Sequence, residues 1–487
     1  NTLGPLIEEK RQAIAKEREE LEDALKKSRG YDREHYQRKL AELDHRLIQE
    51  ILSVKVLDPA MGSGHFLVEA VDYLARELIK AFGETPEEME EEEIRWARRE
   101  VVERCIYGVD VNPLAVELAK LSLWIETVAK DRPLSFLDHH LRLGNSLIGA
   151  WVKDLDMLPL TQKKSEQNRQ TEFVASLFEG RLRSALAKAL GIVMKVLSIP
   201  SDTVGQVREK EALYAKFLGH LQPFKEIANV WVASFFGNPV SDKDYADLLA
   251  EVAPDRLAVA TETAHQSWFA SAQELATKSR YFFHWELEFP EVFFDEHGKR
   301  KRNPGFDAVI GNPPYLFLSG KGSPVRRLLK QGKQRQATVW QCEIDYLSER
   351  FPRSSKGCKD YYKWFVDLSV RLARFGGWVS LIVSNTWIAY PKFRDIRTIL
   401  AIENQLIELI DLGSEVFSDP TVLASIFLMR KSEACRDQKR IKYADLKQCP
   451  RSSIKHGDFS EVLETHWSST ALAKESVDFE MYSSPVA

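Results

Sequence analysis

A doubly wound α/β sheet is the fold class this 487-residue chain predicts, and three observations carry the prediction. Residues 54–79, VKVLDPAMGSGHFLVEAVDYLARELI, give a short apolar strand, a glycine loop and a long amphipathic helix. Residues 105–125, CIYGVDVNPLAVELAKLSLWI, repeat that order. Further on, FDAVIGNPPY, GGWVSLIVSNTWI and TVLASIFLMRK read as buried strands, with DYYKWFVDLSVRLARF between the first two as an amphipathic helix. Strands alternating with helices predict a largely parallel sheet covered on both faces.

Other segments depart from this pattern. Residues 5–52 are charge-rich, with Tyr36, Leu40, Leu43, Leu47 and Ile51 at helical spacing and a turn at SRGYD, which predicts a helical hairpin that packs or docks. Glu87 to Glu93 form an acidic run at the start of a helix that turns basic at Arg95, Arg98 and Arg99, as the helix dipole prefers. Residues 153–290 show few strand signals and read as a helical bundle inserted into the sheet. The expected divisions are 1–52 (hairpin), 53–152 (first half of the core), 153–290 (insertion), 291–435 (second half) and 436–487 (the start of a C-terminal region).

Composition narrows the function classes. No apolar run reaches the roughly 18 residues of a membrane span, and NTLGPLIEEKRQ lacks a signal-peptide layout, so a cytoplasmic protein is expected. Cys105, Cys342, Cys358, Cys435 and Cys449 are scattered, odd in number and without C-x-x-C spacing, which predicts neither a disulfide framework nor a zinc site. A net charge of -4 means that nucleic-acid contact has to come from a local patch. The chain opens on Asn1 and closes on MYSSPVA, and reads as a fragment of a longer polypeptide.

The candidate chemistry lies at the strand ends. In Asp58-Pro59-Ala60-Met61-Gly62-Ser63-Gly64, the two glycines allow a tight turn and close approach of a ligand to the backbone, and the helix from His65 offers free N–H groups. A glycine loop alone also suits NAD, FAD or ATP. However, Leu67 breaks the G-x-G-x-x-G fingerprint. The acid Asp58 before the loop would repel a pyrophosphate and suits an ammonium and a sulfonium, which favours S-adenosylmethionine. Asp110, at the end of the second strand, is placed to accept ribose hydroxyls or, equally, to cap a turn. Asn145 in GNSL offers a polar group for adenine, or is a plain turn residue.

The stretch Gly311-Asn312-Pro313-Pro314-Tyr315 is an acceptor-rich corner. Two prolines remove two backbone donors and hold the chain extended, leaving the Asn312 and Pro313 oxygens to receive a planar NH2 while Tyr315 stacks on its ring. Beyond it, SGKGSPVRRLLKQGKQRQ carries Lys321, Arg326, Arg327, Lys330, Lys333 and Arg335 with no acid, and is expected along a phosphate backbone. Its bland alternative is a solvated loop. His65, His139 and His140 are expected to pack or end helices, and no metal site is expected.

DPAMGSGHFL, VDVNP, GNSLIG, FHWELEFPEVF and VIGNPPY, in that order, resemble the amino-methyltransferases of restriction-modification and phage-defence systems, above all type IIG methylases and the PglX methylase of BREX systems. The resemblance covers the chain from about Leu3 to Lys431. It implies a seven-stranded Rossmann-like class I methyltransferase sheet. It also implies transfer of a methyl group from S-adenosylmethionine to N6 of an adenine flipped out of double-stranded DNA, with other subunits of a defence system as further partners. By position, Asp58, Pro59, Ala60, Gly62 and Gly64 would hold the methionine part, Asp110 the ribose, and Val111 and Asn145 the cofactor adenine. Asn312, Pro313, Pro314 and Tyr315 would be catalytic, with Phe417 as a second aromatic against the base. Three departures from the family pattern stand out. Many relatives carry Asp where this chain has Asn145, and the N-terminal Thr-Pro motif and a recognition domain of sufficient length after residue 431 are expected to be absent. The same corner would also accept cytosine N4 or a protein glutamine, and a non-catalytic DNA-binding or cofactor-sensing subunit is the alternative of another class.

Overall fold

The computed structural model describes residues 2–29, 31–83, 91–128, 132–156, 169–251, 263, 266–320, 323–413, 423–433, 441–446 and 463–467. The chain opens with two long antiparallel-patterned helices, α1 (Leu3–Lys27) and α2 (Tyr31–Leu52). Leu43, Leu47 and Ile51 are buried, as their spacing predicts, and contribute to the same cluster as the first helices of the core.

The sheet begins with β1 (Val56–Asp58), followed by α3 (His65–Ala81), α4 (Glu91–Cys105), β2 (Ile106–Asp110), α5 (Pro113–Thr127) and β3 (Leu141–Leu143). Pro113 occupies the first helical turn of α5, where its missing N–H costs nothing, and the Asn112 side chain caps that helix by accepting from Leu114 N at 3.0 Å. The chain then leaves the sheet for α6 (Arg169–Ser198), α7 (Val204–Ser234), α8 (Asp242–Glu251) and α9 (Ser267–Glu274). It returns as β4 (Phe306–Gly311), β5 (Ala373–Ser384), β6 (Gln405–Gly413), β7 (Ala424–Arg430), β8 (Ile441–Asp445) and β9 (Leu463–Trp467).

The strand order is β3-β2-β1-β4-β5-β7-β6-β8-β9. β1 to β5 run parallel, β7 is antiparallel to both β5 and β6, and β8 returns parallel to β6. The sheet therefore exceeds the expected seven strands. β8 and β9 pair with each other antiparallel and extend the β6 edge, so that the backbone donors and acceptors of β6 are satisfied on both sides. The order reverses between β1 and β4. In an open parallel sheet this switch point leaves a crevice beyond the carboxyl ends of the two strands, where ligands bind.

His139 and His140 are both buried, among Tyr107, Phe136 and Tyr214. The His139 ring lies nearly coplanar in orientation with Phe136, 5.4 Å away. Burial pulls His139 down to about 3 and His140 well below its ordinary value, with the nearby Lys210 opposing the charged form of each. The unfolded chain takes up protons below about pH 6.5 that the folded chain refuses, so this pair lowers stability as pH falls through that value. Replacing His139 with Phe is expected to flatten the fall in thermal midpoint between pH 6.5 and 4, measured against the wild type by calorimetry.

Candidate functional site at the switch point

Asp58 is the last residue of β1 and has no exposed surface. Its Oδ1 accepts from Ala60 N at 2.9 Å, and its Oδ2 has no hydrogen-bond partner among the described residues. Burial lifts this carboxyl to about 7, partly offset by the Ala60 N–H and reinforced by the charge of Asp110. An unpartnered buried carboxylate oxygen is costly unless something charged or polar meets it.

The glycine loop is tied to β2. Met61 N donates to Val109 O at 3.1 Å, Gly64 N to Met61 O at 2.8 Å, and Gly62 N to Asp110 Oδ2 at 2.9 Å. Gly62 and Gly64 both have positive φ, and a Cβ on Gly62 would meet nothing within 4 Å, so the space over the loop is open. Asp110 also accepts from Asn112 N at 2.8 Å. Both of its oxygens therefore organise loops while the residue stays partly exposed, so the turn-capping alternative describes its contacts in this structure. Val111, next in the chain after Asp110, is 48% exposed and offers an apolar surface there. Asn145 makes a turn, its Oδ1 accepting from Leu147 N at 3.1 Å and its backbone N donating to Tyr281 O at 2.6 Å.

Asn312 to Tyr315 follow β4, next to β1 in the sheet. The two motifs meet at Gly311. A Cβ there would lie 2.5 Å from Asp58 Oδ1, and the glycine has φ +150°, so only glycine lets the strand end this close to the carboxylate. The hydroxyl of Tyr315 donates to Asn312 Oδ1 at 2.6 Å and also lies 2.9 Å from Ile382 O. Pro313 is buried, Pro314 exposed, and Asn312 and Tyr315 half-buried. Burial pushes the Tyr315 hydroxyl well up from its ordinary value, so it stays protonated and a donor. The exit from this corner is pinned by Asp360, whose Oδ1 accepts from Leu316 N at 3.2 Å, and by Leu318 N donating to Lys359 O at 2.9 Å.

Of the basic residues, Arg326, Arg327 and Lys330 lie on the Pro324–Lys330 helix, while Lys333 and Arg335 flank the start of the Gln334–Arg350 helix. All five are exposed, and none forms an ion pair among the described residues. The segment is thus helical where a loop was the alternative. Ser323 caps it, its hydroxyl accepting from Arg326 N. Lys321 and Phe417 lie outside the described residues.

Three contributors escape motif reading. Ser146 donates from Oγ to Pro59 O at 2.6 Å, Trp285 Nε1 donates to Ser146 O at 2.9 Å, and Ile382 supplies the second acceptor for Tyr315. Ser146 and Trp285 lay inside GNSLIG and FHWELEFPEVF, so their neighbourhood was visible in the sequence and their bonds were not. Ile382 contributes a backbone carbonyl, which no side-chain pattern announces.

The arrangement brings a buried acid, a glycine loop and the Asn312–Tyr315 corner together at the neighbouring ends of β1, β2 and β4 in an α/β sheet. Comparison with known proteins supplies the family. The model of the Eco57I restriction-modification methylases matches residues 104–417, more than half of the chain, and that of the MmeI DNA-methyltransferase domain matches residues 31–164. The chain belongs to the Eco57I restriction-modification methylase family. It is 22% identical, over 85% of its length, to a Methanocaldococcus jannaschii protein named as a type II restriction enzyme and methyltransferase, and covers 33% of that protein. It is 31% identical to a type II methyltransferase of Thermus thermophilus over 26% of each chain. An ATP-dependent type ISP restriction-modification enzyme bound to DNA is similar at a TM-score of 0.40 and 12% identity, with 85% of this chain and 19% of that one covered. The chain therefore spans a third or less of the length of these relatives.

The raised Asp58 carboxyl has a measurable consequence. The folded protein holds this proton to about pH 7, whereas the unfolded chain releases it near 3.8, so stability is lost as pH rises between those values. Asp58→Asn removes that cost. Its ligand-free thermal midpoint should match the wild type near pH 4 and exceed it increasingly up to about pH 7, then by a constant amount.

Proposed function

We propose that this chain transfers a methyl group from S-adenosylmethionine to N6 of an adenine rotated out of duplex DNA, in a restriction-modification or phage-defence system. The contact between Gly311 and the Asp58 carboxylate carries this reading, because it joins the cofactor half of the site to the acceptor half. Family membership favours DNA over a protein glutamine; adenine over cytosine rests on the resemblance of the motifs.

The residues present fit the cofactor. The orphan Asp58 Oδ2 suits its ammonium group, the open cradle over Gly62 leaves room for its chain, and Val111 offers an apolar surface for its adenine. When bound, the cofactor supplies an already activated sulfonium methyl. The protein then has to orient the acceptor nitrogen, which is mostly a matter of position.

Asn312 Oδ1 is the principal acceptor for the amino group. In the free protein it receives the Tyr315 hydroxyl, and Ile382 O stands 2.9 Å away as a second partner for that hydroxyl. When a base amino group arrives, the Tyr315 hydroxyl settles on Ile382 O and Asn312 Oδ1 takes the incoming hydrogen, so no buried polar group is left unpaired. The Tyr315 ring meanwhile lies beside the base. Removing a target base from the duplex costs a few kcal/mol, which stacking and phosphate contacts from Arg326, Arg327, Lys330, Lys333 and Arg335 offset.

The direct test is methylation mapping on unmodified genomic DNA with Asn312→Ala as the control. N6-methyladenine that appears with the wild type and vanishes with the mutant supports the reading; equal modification by both overturns it. Tyr315→Phe keeps the ring and the Ile382 carbonyl remains available to water, so transfer should stay within a few-fold of wild type. Tyr315→Ala loses a stack of about 1–3 kcal/mol and should weaken productive DNA binding about 5- to 150-fold, measured by single-turnover kinetics.

A further inference from the structure

We propose that Ser146 is a positioning residue for the cofactor loop, fixing the Pro59–Ala60 peptide and hence the Asp58 carboxylate, and that the helical insertion holds Ser146 in place through Trp285 and His284. The inference rests on the cofactor reading of the Asp58 loop.

One peptide unit is clamped at both ends. Its carbonyl, Pro59 O, accepts from Ser146 Oγ at 2.6 Å, and its N–H, on Ala60, donates to Asp58 Oδ1 at 2.9 Å. Because the peptide is planar, fixing the direction of the carbonyl fixes the direction of the N–H. With Oδ1 held, the orientation of the orphan Oδ2 is set before any ligand arrives. Ser146 is 5% exposed, so bulk water cannot take over when the hydroxyl is removed.

Ser146 is itself braced from the far side. Trp285 Nε1 donates to Ser146 O at 2.9 Å, Phe283 N to Ile148 O at 2.8 Å, and Ala150 N to His284 Nδ1 at 3.0 Å. These bonds stitch residues 145–150 to the segment 281–285. Behind that segment stand the insertion helices. His284 Nε2 lies 2.8 Å from Asn229 Oδ1 on α7, and Asn229 Nδ2 donates to Gln273 Oε1 on α9 at 2.7 Å. Accepting at Nδ1 requires His284 to carry its hydrogen on Nε2, so one neutral tautomer satisfies both partners. Burial agrees, pulling His284 down to about 4. Next to it, Glu288 pairs with both Lys225 of α7 and Arg142 of β3, a second tie between insertion and sheet.

The relay acts on Asp58 and leaves the acceptor corner to its own anchors, Asp360 and Ile382. Its loss should therefore appear in cofactor affinity. The experiment is isothermal titration of the whole chain with S-adenosylmethionine for wild type, Ser146→Ala and Asn229→Ala, with the ligand-free thermal midpoint of each. Expected are a roughly ten-fold weaker Kd for Ser146→Ala, matching a lost buried hydrogen bond, and a smaller loss of the same sign for Asn229→Ala. A merely structural serine would lower the thermal midpoint and leave Kd alone, which overturns the inference while the cofactor reading stands. A wild-type chain that binds no S-adenosylmethionine overturns both.

Discussion

The closeness of Gly311 to the Asp58 carboxylate is the constraint on which the rest of this site depends. β1 and β4 are neighbours at the point where the strand order reverses, and their ends carry an acid and an acceptor-rich corner. A side chain at position 311 would push them apart. A buried, half-satisfied carboxylate is a poor choice for stability, and burial holds it protonated to about pH 7. Such a cost at a strand end is typical of positions kept for binding rather than for folding.

The helical insertion gains a physical role from the same logic. Its helices pack against the segment 281–294 through a large aromatic cluster that includes Phe282, Phe283, Trp285, Phe289 and Phe293. Within that apolar setting, buried polar groups need partners, and those of His284, Asn229 and Trp285 find theirs in a line that ends, through Ser146, on the glycine loop after β1. The insertion thus completes the back wall of the sheet and limits how the GNSL loop can sit.

Much of the core was legible in the sequence because it depends on local pattern. The strand ends at Asp58, Asp110 and Gly311 are marked by apolar runs meeting Gly, Pro or Asn, and the hairpin is marked by leucines at helical spacing. The two extra strands were not, since β8 and β9 are five residues each and the brief alternation in IKYAD and LETHW is too short to flag a strand. The basic segment after the corner shows its charge plainly in the sequence and its helix only through Ser323-Pro324, an N-cap followed by proline in the first turn. Asp110 illustrates a deeper limit. Its position at a strand end was predictable, but whether its oxygens face a ribose or hold Gly62 and Asn112 depends on contacts across some fifty residues of sequence. Bonds such as Ser146 to Pro59 belong to the same class and appear only when the sheet is assembled.

A crystal structure of the chain with S-adenosylhomocysteine tests most directly whether these two strand ends form one site. The ligand's amino group should stand within about 3 Å of Asp58 Oδ2, with its sulfur turned toward Asn312. A ligand bound with its amino-acid end elsewhere, and Asp58 Oδ2 still without a partner, would contradict the assignment.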